Sequence, residues 1–293
     1  MDSSRLEELF ERLLRRLDEI APAPAPTDWG ASAFRWRRRE VLGAVSGALE
    51  AVEDPAVIDP GDLLGIERQK EALLANTAQF VRGLPANHAL LTGARGTGKS
   101  SLVRACLARH AADGLRLVEV ERADLVDLPR IAGAVRGRPE RFLLFCDDLS
   151  FEAGDASYKA LKAALDGSVS AGGERLLVYA TSNRRHLMPE YLHENLEATH
   201  DADGEIHPGE TSEEKISLSE RFGLWLSFQP FRQEEYLRIV AHWLSHLGIA
   251  GEDARAAEPH ALRFALARGS RSGRVALQFA RDYAGRRGLA GGA

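Results

Sequence analysis

The stretch Gly93–Ser100 constrains the fold of this chain more than any other, because it matches the pattern G-x-x-x-x-G-K-[ST] at every fixed position. Residues 89–92 before it are typical of the end of a buried strand, and residues 101–109 after it are typical of a helix. Between a strand and a helix, such a loop turns its backbone N–H groups inward around a phosphate, and the helix N-terminus adds partial positive charge. A Gly-rich turn alone is more often plain structure, but the adjacent Lys99 and Ser100 favour a nucleoside triphosphate site.

Two side chains of this loop have predicted roles of their own. Lys99 is expected to reach the β- and γ-phosphates, and the Ser100 hydroxyl to take one coordination position of Mg²⁺. The residues predicted to contact the nucleotide form one continuous run: Gly93, Ala94, Arg95, Gly96, Thr97, Gly98, Lys99, Ser100 and Ser101.

Strand-like and helix-like segments alternate along the chain from residue 63 onward. Apolar runs at about 88–92, 142–146 and 176–180 and an alternating stretch at 115–120 indicate strands, with helical patterns between them. An unalternating apolar run suits a parallel strand that is buried on both faces. The alternation therefore predicts an α/β fold with a doubly wound parallel sheet, in which ligands gather at the carboxyl ends of the strands.

Two carboxylates, Asp147 and Asp148, directly follow the apolar run 142–146. Triphosphate hydrolysis needs one strand-terminal acid to hold Mg²⁺ and a second carboxylate to orient the attacking water. We assign Asp147 to the metal together with Ser100, and Asp148 to the water. Such acids are also common in ordinary loops, but the upstream phosphate loop favours the catalytic interpretation.

Three domains are expected, the last of them made of helices at about 233–247, 257–268 and 272–286. The predicted divisions are an N-terminal helical region with an Ala/Pro linker (1–58), a nucleotide-binding α/β domain with a polar insertion at 184–217 (59–230), and a C-terminal helical lid (231–293).

The N-terminal region combines several local patterns. Residues 3–20 carry apolar side chains at helical spacing, residues 21–26 alternate Ala and Pro, and residues 40–52 are predicted as a second helix. The cluster 34–39 (Phe-Arg-Trp-Arg-Arg-Arg) could stack on single-stranded nucleic acid. We favour the alternative that its aromatic residues dock on the core while the arginines stay solvated or pair with acids.

The polar insertion at 184–217 holds four histidines spaced by seven residues: His186, His193, His200 and His207. On a helix, seven residues rise about 10.5 Å, which is too far for two imidazoles to share one metal ion. We therefore expect a mobile surface insertion there and no metal site.

Composition limits the partners of the 293-residue chain. Its formal net charge of −5 gives no general attraction to nucleic acid or to anionic membranes. No apolar run approaches the length of a membrane span, and residues 1–20 lack the pattern of a signal peptide. The two cysteines, Cys106 and Cys146, lie in apolar stretches and read as buried free thiols. A cytoplasmic protein is expected.

Beyond the phosphate loop and the acidic strand, residues 60–287 resemble the AAA+ ATPases. The further features are Asn183 after the fourth core strand, Glu220-Arg221-Phe222 before the lid, and Ser272-Gly273-Arg274 at the start of a lid helix. The resemblance implies that Asn183 is the first sensor, that Arg221 is an arginine finger reaching a neighbouring subunit's nucleotide, and that Arg274 is the second sensor. It also implies a homo-oligomer. Arg221 could instead be a salt-bridged structural residue, and Arg271 competes with Arg274.

The stretches 93–101, 146–151 and 182–189 resemble, more closely, an uncharacterised bacterial ATP-binding family within AAA+. That resemblance implies ATP binding and hydrolysis with Mg²⁺, with no assigned cellular role and an unknown protein client. Two features depart from the usual AAA+ pattern. The second acid is Asp148 where Glu is usual, and residues 121–130 lack the aromatic-apolar-Gly pattern of threading unfoldases.

The leading hypothesis is an ATP hydrolase that couples turnover to conformational change in an oligomer. The first alternative is a nucleotide-gated binding module with little turnover, which the shorter Asp148 favours. The second is an ATP-dependent nucleic-acid remodeller, suggested by residues 34–39; nucleic acid is possible as a partner but not favoured.

Overall fold

The sequence folds around one seven-stranded sheet, here seen in a computed structural model. The structure describes residues 26–41, 44–56, 58–151, 155–166, 175–183, 199–200, 206–207 and 220–291, together with Arg12 and Leu218. The predicted helix over 3–20, the linker over 21–26 and the insertion at 184–217 therefore lie almost wholly outside the described residues.

Strands and helices alternate through the central part of the chain, and helices alone follow it. The strands are β1 (Ala33–Val41), β2 (Ala44–Ala51), β3 (Ala89–Gly93), β4 (Leu115–Glu119), β5 (Arg141–Cys146), β6 (Leu176–Ser182), β7 (Thr199–His200), β8 (Ile206–His207) and β9 (Leu224–Phe228). The helices are α1 (Glu67–Val81), α2 (Lys99–His110), α3 (Leu128–Ala134), α4 (Ala156–Leu165), α5 (Gln233–His246), α6 (Gly251–Ala267) and α7 (Gly273–Gly291). Short 3-10 turns lie at Pro60–Asp62 and Arg122–Asp127.

The main sheet has the strand order β2-β1-β4-β5-β6-β3-β9. Only the β1–β2 hairpin pairs antiparallel in this sheet, and its other neighbouring strands run parallel. The strands β7 and β8 form a separate two-stranded ribbon. The carboxyl ends of β5, β6 and β3 are therefore neighbours, and the loops that follow them meet at one edge of the sheet.

Helices cover both faces of this sheet, as the unalternating strands require. The central strand β5 is buried from Phe142 to Cys146. One apolar cluster joins the sheet to α1, α2 and the lid helices, and a second joins it to α3 and α4. The predicted doubly wound parallel sheet and the predicted C-terminal helices are confirmed.

The prediction of a helix over 40–52 is wrong, since residues 44–51 form β2 in a hairpin with β1. The indole of Trp36 occupies the space beside Gly47, where an added Cβ would lie 2.1 Å from the ring. Because β1 also pairs parallel with β4, this hairpin extends the main sheet. Sequence reasoning also missed β9, and α6 begins at Gly251, earlier than expected.

The basic-aromatic cluster 34–39 is part of β1 and faces its own chain. Phe34 and Trp36 are 0% and 2% exposed, and the Trp36 indole N–H donates to Asp127 Oδ2 at 3.3 Å. The arginines pair with acids of the same chain: Arg35 with Glu119, Arg37 with Glu50, Arg38 with Asp127 and Arg39 with Glu50. The preferred interpretation is confirmed, and the burial of both aromatic rings excludes stacking on bases by this cluster.

Two further expectations have an outcome in the described part of the chain. Cys106 and Cys146 are buried free thiols, as predicted, and burial raises the pKa of each to about 12. Within the described ranges, every helix is too short or too polar to cross a lipid bilayer.

His88, immediately before β3, makes the stability of this sheet depend on pH. Its Nδ1 accepts a hydrogen bond from the Val178 backbone N–H at 3.0 Å, and burial lowers the pKa of His88 to about 4. The unfolded chain, with a histidine pKa near its ordinary value, takes up the proton first, so stability falls as the pH drops from about 6.5 toward 4. We expect protonation of His88 in the unfolded chain to lower the free energy of unfolding by about 2 kcal/mol between pH 7 and pH 5.

The measurement is urea unfolding at both pH values for the wild type and for His88→Gln, whose amide oxygen can also accept a hydrogen bond. The substitution should remove the part of the pH dependence that belongs to His88. An equally steep loss of stability in His88→Gln would contradict the prediction.

Candidate nucleotide-binding site

The loop between β3 and α2 has the backbone that anion binding requires. Gly96 and Gly98 have φ values of 74° and 100°, in the left-handed region that glycine adopts without strain. Gly98 is the N-cap of α2, so that the helix begins at Lys99 and directs its first N–H groups toward the loop. The predicted strand, loop and helix are therefore confirmed, and their arrangement fits the phosphates of a nucleotide.

The Lys99 ammonium is the central cation of the site. Its Nζ donates to the carbonyl oxygens of Gly93 and Ala94 at 2.8 Å each and to Asn183 Oδ1 at 3.0 Å. The side chain is 6% exposed, and burial lowers its pKa, against the opposing effect of nearby Asp147 and Asp148. A triphosphate would supply the negative charge that favours the protonated lysine in this environment.

Ser100 and Asp147 lie side by side, as the sequence predicted for a metal pair. The Ser100 hydroxyl donates to Asp147 Oδ1 at 2.6 Å, and the Thr181 hydroxyl donates to the same oxygen at 2.5 Å. Hydroxyl and carboxylate oxygens are the hard ligands that Mg²⁺ takes when it also binds phosphates. The residues present therefore fit a Mg²⁺ ion held by Ser100 and Asp147.

Asp148 is held in an unusual backbone conformation at the end of the acidic strand. Its φ is 54°, and no other described residue apart from glycine has a positive φ. The Thr181 hydroxyl accepts from the Asp148 backbone N–H at 2.9 Å, and Asn183 Nδ2 donates to Asp148 Oδ1 at 2.6 Å. Asn183 thus joins the loop lysine to the second acid.

These groups surround a cavity of about 620 Å³, within the roughly 300–1,000 Å³ usual for small-ligand sites. The polar part of its lining is the phosphate loop and the two acids. The apolar part comes from the segment before α1 and from the C-terminal helical region, with the wall residues Ile58, Leu63, Leu64, Ile66, Phe231, Ile239, Trp243 and Leu277. The polar lining suits phosphates and the apolar lining suits a planar base.

The lid touches the phosphate loop directly. The Gly273 N–H, at the start of α7, donates to the Gly96 carbonyl oxygen at 2.9 Å, and a Cβ added to Gly96 would lie 2.7 Å from Ser272 Oγ. Of the two competing lid arginines, Arg274 lines the cavity, and Arg271 is absent from the described residues around it. The positive charge of Arg274 is close enough to Lys99 to lower the pKa of that lysine as well.

Arg221 lies away from this cavity, among the residues just before β9. Its Nε donates to Asp166 Oδ1 at 2.5 Å, and its side chain is 25% exposed. An intramolecular ion pair agrees with the structural alternative, while a partly exposed arginine outside its own site agrees with a finger that serves a neighbouring subunit. Both interpretations of Arg221 stay open.

The structure therefore brings together most of the predicted site. The predicted residues that line the cavity are Arg95, Gly96, Thr97, Gly98, Lys99, Ser100, Ser101, Asp147, Asp148, Asn183 and Arg274. Gly93 and Ala94 contribute carbonyl oxygens to Lys99. Sequence reasoning missed Thr181, although its position beside Asn183 at the end of β6 was a usable signal, and it missed the apolar wall, which carries no motif.

The stretch 121–130, where threading unfoldases carry their gripping loop, serves a structural purpose here. Leu125 is fully buried. Asp127 is 5% exposed and accepts from Trp36 and from Arg130. Leu125 and Asp127 therefore make their contacts within the chain. The same stretch lacks the aromatic-apolar-Gly pattern in its sequence.

A phosphate loop after β3, acids after β5, a polar residue after the adjacent β6 and a helical lid together define a P-loop α/β protein of the AAA+ type. Solved structures share the fold. A threonine-to-valine variant and an alanine-to-serine variant of RuvB from Thermotoga maritima each give a TM-score of 0.50 at 19% identity, covering 76% of this chain and 63% of theirs. The chain thus spans less than two thirds of the RuvB chains that it matches.

The chain belongs to the DUF815 family, described as proteins of unknown function, which matches residues 30–287. The ORC1 protein of Aeropyrum pernix, solved in complex with DNA, is also similar, with a TM-score of 0.48 at 17% identity over 80% of this chain and 62% of that one. No curated protein is significantly similar to the chain in sequence.

Proposed function

We propose that this protein binds ATP with Mg²⁺ and hydrolyses it. One observation carries the proposal: Asn183 bonds both the loop lysine Lys99 and the acid Asp148, at 3.0 and 2.6 Å, beside the Ser100–Asp147 pair. A γ-phosphate at Lys99 would therefore lie next to the carboxylate that activates water. The AAA+ type of fold supports the same activity.

Each polar group has a distinct part in the proposed reaction. Lys99 and the loop N–H groups bind the β- and γ-phosphates, and Ser100 and Asp147 hold the metal, which neutralises charge on the phosphates. Asp148 accepts a hydrogen bond from the attacking water, and Asn183 helps to position that water. Arg274 is proposed as the second sensor, because α7 starts against the phosphate loop and can report nucleotide state to the lid.

Self-association is part of the proposal, with Arg221 of one copy completing the site of the next. The test is ATPase activity measured against protein concentration, with sizing of the protein in ATP and in ADP. Specific activity that rises as an oligomer forms supports the proposal. Phosphate release that stays at background at saturating ATP and high protein concentration would refute hydrolysis. A cytoplasmic location is proposed as well, supported by the two free buried thiols.

Arg221→Ala should lower turnover about ten-fold or more in the oligomer and leave ATP affinity unchanged, since a finger stabilises the transition state of a neighbour. The matched control is Asp166→Ala, which breaks the same intramolecular ion pair and keeps the arginine. Equal loss of turnover in both variants would make Arg221 a structural residue.

A nucleotide-gated binding module with little turnover is the second candidate. The observation that favours it is the side chain of Asp148, which is shorter than the usual glutamate and tied to Asn183. In that case ATP would act as a conformational ligand that closes the lid. Tight ATP binding, combined with background phosphate release, would select this function over hydrolysis.

A further inference from the structure

A second cluster of ligand-type side chains borders the nucleotide cavity through Asp62. It consists of Asp62, from the turn before α1, with His242 and His246, from the lid helix α5. The two histidines are four residues apart, and therefore lie on one face of α5. One ligand atom from each residue falls within 4.8 Å of the others.

The distances within the cluster suit a metal ion. His242 Nε2 lies 2.9 Å and His246 Nε2 lies 3.3 Å from the same oxygen, Asp62 Oδ1. Bonds of about 2.0–2.2 Å in tetrahedral geometry place ligand atoms roughly 3.3–3.6 Å apart. Small side-chain rotations would therefore bring all three atoms onto one ion.

The tautomer of His246 supports this interpretation. Its Nδ1 lies 3.0 Å from the carbonyl oxygen of His242, and a carbonyl only accepts, so Nδ1 carries the hydrogen. Nε2, which lies 3.3 Å from Asp62 Oδ1, is then the ring atom available to bind a metal ion beside that carboxylate. An Nδ1–H bonded to a backbone carbonyl is also how metal-binding histidines are commonly oriented.

The turn that carries Asp62 is stabilised by hydrogen bonds within the segment before α1 and from α1 itself. The turn Pro60–Asp62 is capped by Asp59, whose side chain accepts from the Gly61 N–H. Lys70 Nζ donates to the carbonyl oxygens of Pro60 and Leu63 at 2.9 Å each. The turn that carries Asp62 is therefore held within the segment before α1, while both histidines belong to the lid helix α5.

We propose that Asp62, His242 and His246 bind a Zn²⁺ ion that joins the lid to the segment before α1. The two imidazoles are borderline nitrogen ligands, so the set favours Zn²⁺ over Mg²⁺, which prefers oxygen ligands alone. Three protein ligands leave a fourth position for water. Asp62 and the neighbouring Trp243 also line the nucleotide cavity, so that the ion would brace the wall against which a base packs.

The test uses the full chain without an affinity tag, freed of metal by a chelator and titrated with Zn²⁺ in a calorimeter without nucleotide. A negative result in this titration is therefore distinguishable from a failure of ATP binding. We expect one tight equivalent at this site, and His246→Ala and Asp62→Asn should each weaken it roughly 100-fold or more, since even outer residues of zinc sites matter about 10–100-fold. Zn²⁺ should also raise the melting temperature of the wild type.

The matched control is His260→Ala, which removes an exposed histidine of α6 that contacts Tyr283. It should bind Zn²⁺ and gain thermal stability like the wild type. His246→Ala should melt at the wild-type temperature when no metal is present, because its side chain is about half exposed (51%). Binding only at millimolar Zn²⁺, or unchanged binding in His246→Ala, would overturn the proposal, the latter by placing the ion elsewhere on the chain.

Discussion

Replacing Lys99 with alanine should lower the affinity for ATP by about 100-fold or more, to the point where binding is no longer detected. The ammonium is the one buried cation of the cavity, at 6% exposure, among the residues that the structure describes. A hydrogen bond to a charged group contributes about 1.5–3 kcal/mol, and the lysine is expected to bond both the β- and γ-phosphates. Every other assigned role depends on this contact, because without bound triphosphate there is no γ-phosphate for the water to attack.

The measurement is calorimetric titration of Lys99→Ala with ATP and with ADP in the presence of Mg²⁺. The control is Lys159→Ala, which removes an exposed lysine from α4 and should bind like the wild type. Wild-type affinity in Lys99→Ala would refute the nucleotide site, whereas unfolding of the variant would be seen separately in its melting curve.

The parts of the fold that follow from the sequence are those governed by local rules. The run from Gly93 to Ser101 has fixed spacing and needs glycine at positive φ, so one stretch specifies strand, loop and helix together. The apolar run ending in Asp147 and Asp148 can be placed because a parallel strand buried on both faces requires apolar residues throughout. Adjacency of these loops then follows from the rule that ligand sites lie at the carboxyl ends of the strands.

The β1–β2 hairpin could not be placed by the same rules. Residues 40–52 have no strong alternation, and their strand state depends on Trp36 packing over Gly47, which is a contact between strands. The alternation of Phe34 and Trp36 with arginines is typical of a half-buried strand. The arginine charges, however, also suggest a nucleic-acid site, so the pattern has two interpretations. The acidic partner of Arg35, Glu119, lies on β4, more than eighty residues away, and no local pattern identifies it.

The site itself was predictable where chemistry depends on one segment and unpredictable where two segments meet. Arg274 and Arg271 both lie near the start of the last lid helix, and the sequence alone does not decide between them as the second sensor. The contact of α7 with Gly96 places Arg274 at the cavity. Likewise, His242 and His246 on a predicted helix form a visible pair, but their partner Asp62 is set by tertiary packing. A helical spacing of four would have identified two of the three residues of that cluster.

Replacing Asp148 with asparagine should lower ATP turnover by about 10²–10⁴-fold while ATP affinity changes little. Asparagine fits the backbone, because it tolerates the left-handed region in which Asp148 lies at φ 54°. It also keeps the oxygen that accepts from Asn183 Nδ2, so that the geometry survives and only the charge that attracts the proton of the water is lost.

Single-turnover phosphate release and ATP titration, measured on the same preparation, separate the chemical step from binding for this variant. The control is Asp113→Asn, which alters an exposed acid that pairs with His110 far from the cavity. Unchanged hydrolysis in Asp148→Asn would remove Asp148 from the mechanism. If both rate and affinity fell together, the carboxylate would instead support the bound nucleotide, and the water would need another base. A selective loss of turnover is the result that the bond between Asn183 and Asp148 leads us to expect, because that bond holds the acid where a water beside the γ-phosphate would lie.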